Sequence, residues 1–196
     1  MIQQRFFPAL LLAILSGWSA ATAETLSREE AARFLIQASF GPTPEAIDEV
    51  QALGTTGWLE DQMARPDLPL IPLLRTSREN GGSKDRARYS DYFWSTALHG
   101  EDQLRTRMAF ALSEIVVVSI QDPEVRTSGP AFPEYIDLLE RHAFGNYCQL
   151  IRDVSFSPAM AFYLTFYQNQ RSDSGTGVVP DENYAREVMQ LFTIGL

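Results

Sequence analysis

Two histidines and one cysteine are all that this chain of 196 residues contains of the side chains most used for transition metals. A lone Cys148 cannot form an intramolecular bridge, which excludes a disulfide-stapled extracellular fold and a cysteine metal cluster. It is either a buried free thiol or one half of an intermolecular bridge. His99 and His142 cannot make an HExxH or other paired-histidine spacing, so no metal and no cofactor is expected. Other signatures are lacking too. There is no G-x-S-x-G elbow, Gly81-Gly82-Ser83-Lys84 lacks the earlier glycine of a phosphate loop, and Ser172 to Gly177 lacks the alternating acids of a calcium loop. With a net charge of −9, a pI near 4.7 and no Lys/Arg block, the chain is expected to bind neither nucleic acid nor anionic lipid. No period of 34 residues or similar recurs, which argues against a helical solenoid.

What is present begins with an export signal. Arg5 and the amino terminus supply positive charge, Phe6 to Leu15 an apolar run, and Ala21-Thr22-Ala23 a small-residue cleavage site. A run of about ten apolar residues falls well short of the roughly 20 that span a bilayer, so no transmembrane segment is expected after cleavage. Residues 1–23 are therefore read as a signal peptide, and residues 24–196 as a single domain, periplasmic or extracellular, long enough to bury a core without disulfides.

The mature chain reads as a run of helices. Ser27-Arg28-Glu29-Glu30 is a capping box ahead of a stripe of Ala31, Phe34, Leu35 and Ala38. Thr43-Pro44 opens a second helix carrying Ile47, Val50 and Leu53 to a stop at Gly54, and a third spans Gly57 to Ala64. Pro66, Pro69 and Pro72 make residues 65–74 an extended connection, and Asn80-Gly81-Gly82 marks a loop. Tyr89, Phe93 and Ala97 form the next stripe, closed by a left-handed Gly100. Glu101 to Ser119 is expected to be the longest helix, central and buried, with Ile115 to Val118 able to form a short strand instead. Pro133 opens a helix through Ile136, Leu139 and Ala143, Asn146 caps the next, and Ser157-Pro158 starts another. Phe40-Gly41 and Phe144-Gly145 look like two uses of one helix ending. A polar loop from Gln168 to Val179 leads to the last helix, PDENYAREVMQLFTIGL, which Val188, Met189, Leu191 and Phe192 would dock. The fold class is all-α.

Chemistry is concentrated at the start of that last helix. The helical period sets Glu182 beside Arg186 and Asn183 beside Glu187. These carboxylates could act as acid and base or bind a cation; equally, Asp181 caps the helix while Glu182 and Arg186 form an exposed pair. Glu114 stands inside the apolar run MAFALSEIVVVS, where an unpaired buried charge is costly, so it must pair with Arg107, Arg33 or Arg141, reach water, or hold a proton. His142 lies near a helix C-terminus as a packing or capping residue or as a base. The aromatic residues Trp58, Tyr89, Tyr92, Phe93, Trp94, Tyr163, Phe166 and Tyr167 either pack the core or line a carbohydrate or peptide groove. Two classes follow: an envelope module that binds a protein partner or surface polymer, or a hydrolytic enzyme using the Asp181 to Glu187 carboxylates. The enzyme would need a second, facing carboxylate, such as Glu114.

The blocks AARFLIQASFGPTPEAIDEV, LRTRMAFALSEIVVVS, YIDLLERHAFGNY, SPAM and DENYAREVMQLFTIGL resemble, in order and spacing, the bacterial family known as domain of unknown function 1800. The resemblance implies a largely helical exported protein with no assigned activity, and a chain that continues beyond Leu196. It marks His142, Gly145, Asn146, Glu182, Asn183, Arg186 and Glu187 as polar positions of interest. The family often has Arg where Cys148 stands and His where Ser157 stands. It also implies, by analogy, an exported protein partner resembling sulfatases and alkaline phosphatases.

Overall fold

In the computed structural model, residues 26–67, 69–72 and 87–195 are described. The expected signal segment, the end of the proline-rich connection and the Asn80-Gly81-Gly82 loop lie outside them.

The chain enters its first helix, α1 (Arg28–Ala38), through the expected box: Ser27 Oγ accepts the Glu30 N–H at 3.2 Å, and the Glu30 carboxylate accepts the Ser27 N–H at 2.9 Å. Ala31, Leu35 and Ala38 are buried, and Phe34 meets Trp58 edge-on with ring centres 5.3 Å apart. Helix α2 (Pro44–Ala64) is capped by Thr43 Oγ1 on the Ala46 N–H at 3.2 Å. As expected, the first half stops at Gly54, whose φ 71°, ψ 167° is not helical, and a second helical half follows across the kink to Ala64. Leu53 is half-exposed, so the buried stripe passes from Val50 to Trp58 and Gln62 instead.

Helix α3 (Ala87–His99) ends at Gly100, whose N–H bonds the Thr96 carbonyl at 2.8 Å. Gly100 is not left-handed as expected; glycine is required because a Cβ would lie 2.5 Å from the Thr96 carbonyl oxygen. Helix α4 (Gln103–Ile115) is shorter than the expected Glu101 to Ser119, and at 13 residues it equals α3 in length. It stops where the Val116 carbonyl turns to accept the buried Tyr135 hydroxyl, leaving residues 116–119 neither helical nor paired as a strand. α4 is central as expected and packs on α1, α2 and α3.

A short α5 (Pro123–Thr127), capped by Asp122, precedes α6 (Ala131–Arg141). α6 begins two residues before Pro133. The first turn has no intrahelical use for its N–H groups, so proline fits there. It is covered by α4, α5 and two following helices, α7 (Tyr147–Ser155) and α8 (Pro158–Tyr163), and every residue from Tyr135 to Glu140 is buried. Asn146 Oδ1 caps α7 on the Gln149 N–H at 3.2 Å. Cys148, in the first turn of α7, is a free thiol and exposed rather than buried. Gly145 lacks the positive φ of Gly41, so the two Phe-Gly endings differ.

The last helix, α9 (Asn183–Gln190), docks through Tyr184, Val188 and Phe192, while Met189 and Leu191 face out. Two apolar clusters result, one uniting α1, α2 and Leu104 of α4, the other centred on α4, α6, α7, α8 and Phe192. The fold is all-α; among the described residues the sole β feature is the isolated pairing of Asp173 with Val178.

Candidate functional site

The acidic block at the start of α9 is organised by the preceding loop. Asp181 Oδ1 accepts the Asn183 N–H at 2.8 Å and Oδ2 accepts the Thr165 hydroxyl at 2.6 Å, which together hold its carboxyl below the usual range. Asn183 turns its amide to Thr165 Oγ1 at 2.9 Å. Glu182 and Arg186 stand 3.5 Å apart, both largely exposed. Glu187 buries Oε2 without a hydrogen-bond partner. His142 closes α6 and places Nε2 2.7 Å from Asp153 Oδ2 on α7, while Asn146 is occupied by its capping bond. Glu114 reaches water at the exposed end of α4, and Arg107 lies over the Phe40 and Phe110 rings at 5.9 and 5.7 Å. Among the described residues no hydrogen bond or ion pair joins His142, Glu114 and the α9 block to one another.

A different set of carboxylates is gathered in the interior. Asp137 on α6 accepts the N–H of Leu70 at 2.6 Å and of Ile71 at 3.0 Å, fastening the proline-rich connection to that helix. Residues 70–72 are helical, where the prolines led us to expect extended chain. Glu140, one turn along α6, is only 7% exposed, and its carboxyl makes no hydrogen bond among the described residues. Asp102 precedes α4, with Oδ2 held by Arg105 Nε at 2.6 Å and Oδ1 buried without a partner; Asp67 on the connection also buries an unpartnered Oδ1. Burial, then Asp137, Asp67 and Asp102, pushes the Glu140 carboxyl up to about 8, against the pull of Arg105. Burial likewise raises Asp102 and Asp137, and burial together with Glu140 and Asp137 raises the Tyr89 hydroxyl of α3. The physical cause is common to all: charge held in a low-dielectric interior with too few counter-charges.

The sequence reading passed over this cluster. Its signal was the three-residue spacing of Asp137 with Glu140 and of Asp102 with Arg105, which puts each pair on one helix face. Among the described residues no group of three or more His, Cys, Asp or Glu side chains is placed to hold a metal ion.

Arg65 also lines an open cleft of about 600 Å³ between α2 and the end of α3. Trp58, Gln62, Glu45, Glu49 and Thr43 line it, with Phe40, Leu98 and His99. Gln62 is almost wholly buried; its amide donates to the Glu101 carbonyl and accepts the Leu104 N–H, each at 3.2 Å. Trp58 Nε1 is buried without an acceptor. Arg65 spans the wall, donating to Glu49 at 3.2 Å, to Asp61 at 2.7 Å and to the Glu101 carbonyl. Phe40 extends the apolar edge outward, its ring meeting half-exposed Trp94 at 6.3 Å.

Among the described residues no helix is long and apolar enough to cross a membrane. No curated protein and no solved structure matches the chain. The ordered blocks quoted above fall on α1, α2, α4, α6, α8 and α9 and, but for Ala31 and Ala32, lie within residues 33–196 matched by one family model, and the chain belongs to that family, described as protein of unknown function (DUF1800).

Proposed function

We propose that the protein is an exported, all-α binding module of the cell envelope that holds a segment of neutral surface polysaccharide in the cleft between α2 and α3. The observation that carries this reading is the mixed lining of that cleft. Carboxylates and a hydroxyl from Glu45, Glu49 and Thr43 line it together with the aromatic rings of Phe40 and Trp58. A sugar ring presents adjacent hydroxyl donors that a carboxylate accepts in pairs, and a C–H face that packs on an aromatic ring. The volume lies within the range of roughly 300–1,000 Å³ usual for small-ligand sites. The net charge of −9 disfavours phosphate-rich polymers, and the export signal would bring the domain to such material.

A hydrolytic reading built on Glu182 and Glu187 draws less support, because Glu182 is engaged with Arg186 on the same exposed turn and a glycosidase needs its two carboxylates facing across the substrate. Calorimetric titration of the mature protein with neutral oligosaccharides released from its own envelope tests the proposal. Glu45→Gln should weaken binding about tenfold, which is about 1.4 kcal/mol, with the melting temperature unchanged. Failure of every neutral oligosaccharide to bind would remove it.

A further inference from the structure

The buried carboxylates have no part in the cleft proposed to bind polysaccharide, yet they share its wall. Glu140 is faced by Asp137 on its own helix, Asp67 on the 65–72 connection, Asp102 and Arg105 on α4, and Tyr89 on α3; Arg141 acts on Asp137 from the end of α6. Arg105 is the one cation among the described residues in hydrogen-bond contact with any of these acids, and it is committed to Asp102. Two oxygens, Asp67 Oδ1 and Asp102 Oδ1, are buried without donors. The connection is fastened to α6 by the two N–H bonds to Asp137. Its first residue, Arg65, supplies the cleft wall and accepts Arg105 Nη2 at its carbonyl at 3.0 Å.

We propose that this cluster is a proton-operated latch: while Glu140 carries a proton the backbone at Leu70 and Ile71 stays fastened to Asp137, and when Glu140 ionises these two residues are released and the cleft wall at Arg65 moves with them. The first half stands on the geometry of the cluster; the consequence for the cleft rests on the polysaccharide reading. An ionised Glu140 meets no donor among the described residues, stands one helical turn from the carboxylate that does the fastening, and repels Asp67 on the segment that is fastened. Release admits water to all three, the least costly way to solvate a new buried charge. An exported domain meets the pH of its surroundings more directly than a cytoplasmic one, so a transition of this kind would be used.

The test is a pH series of amide spectra on the uniformly ¹⁵N-labelled mature protein between pH 6 and pH 9.5, reading exchange protection at Leu70 and Ile71, with oligosaccharide affinity measured on the same samples. Protection at these two amides should fall at least tenfold around pH 8, beyond the rise in intrinsic exchange, while amides of the α7 core hold. In Glu140→Gln the loss should disappear. Constant protection at Leu70 and Ile71 through pH 9.5 in the unaltered protein overturns the latch without need of any variant, and equal loss in Glu140→Gln overturns the assignment to Glu140. If protection falls as expected but no oligosaccharide binds at any pH, the latch stands and the polysaccharide reading fails. If oligosaccharide binds equally at pH 6 and pH 9.5 while protection falls, the coupling to the cleft is overturned.

Discussion

Arg105 donates to the main-chain carbonyl of Arg65 at 3.0 Å, so the guanidinium that neutralises a buried carboxylate also fixes the residue that walls the cleft. Its Nε holds Asp102 at 2.6 Å, with both side chains nearly enclosed, and its plane lies 4.8 Å from the centre of the Phe144 ring. Arg105→Ala would strand Asp102 as a buried unpaired acid. Loss of one partner of a buried pair costs about 3–5 kcal/mol, and urea unfolding should report a loss of that order. The double change Asp102→Leu with Arg105→Met should recover most of it, because the apolar pair leaves no charge behind. A double variant no more stable than the single one would show that the Arg65 carbonyl bond is what matters.

Stability should fall as pH rises from about 5 to about 8. Glu140 titrates near 8 in the fold and near its ordinary 4.5 in the unfolded chain. Between those values the native state holds a proton that the unfolded state has lost. The stabilisation is thus complete below pH 4.5 and is lost as pH rises through the folded value, at up to about 1.4 kcal/mol per pH unit. Asp102 and Asp137, also raised, act with the same sign at lower pH. Urea midpoints at pH 5.5, 6.5, 7.5 and 8.5 measure the slope, and Glu140→Gln should flatten it above pH 6. A midpoint that rises with pH over this range would mean that Glu140 finds a donor.

Local signals and burial were not equally legible in the chain. The caps of α1, α2 and α7 follow from Ser27, Thr43 and Asn146, because a cap depends on residues within one turn. Glu114 drew suspicion because apolar residues surround it in sequence, yet it lies at the solvent end of α4. Asp137 and Glu140 drew none, since a polar pair on a helix ordinarily marks the wet face. α6 has no wet face from Tyr135 to Glu140, and only the packing of α4, α5, α7 and α8 around it decides that. The cleft was no more visible, since its edges come from α2 and α3 and approach only in the folded chain. Glu114→Gln should accordingly change stability by no more than about 0.5 kcal/mol.

Two nearby glycines of α2 should respond oppositely to alanine. Gly54 holds φ 71°, ψ 167°, a region closed to side chains, although a Cβ there would meet nothing within 4 Å. The cost of Gly54→Ala is therefore backbone strain alone, about 1–3 kcal/mol. Gly57 is helical, and a Cβ would make contact with Leu53 Cβ at 3.4 Å. Gly57→Ala should stabilise by up to about 1 kcal/mol, through the lower entropy of the unfolded chain. Thermal melts of the two variants check this pair, and a destabilising Gly57→Ala would mean that Leu53 cannot give way.

Thr165 holds α9 in place at the expense of its own backbone. Its φ of 59° is unusual for a β-branched residue. The hydroxyl repays this by donating to Asp181 at 2.6 Å and accepting from the Asn183 side chain at 2.9 Å, while Asn169 brackets Asp181 with bonds to its N–H and carbonyl at 2.9 and 2.8 Å. Valine at this position would keep the strain and lose both bonds; glycine would lose the bonds but shed the strain. Thr165→Val should therefore be less stable than Thr165→Gly by about 1 kcal/mol, the size of the relieved backbone strain. Hydrogen exchange along Asn183 to Gln190 should quicken more in the valine variant. If both variants match the unaltered protein in stability and in α9 exchange, Tyr184, Val188 and Phe192 alone hold the helix, and the polar network serves only to orient Asp181.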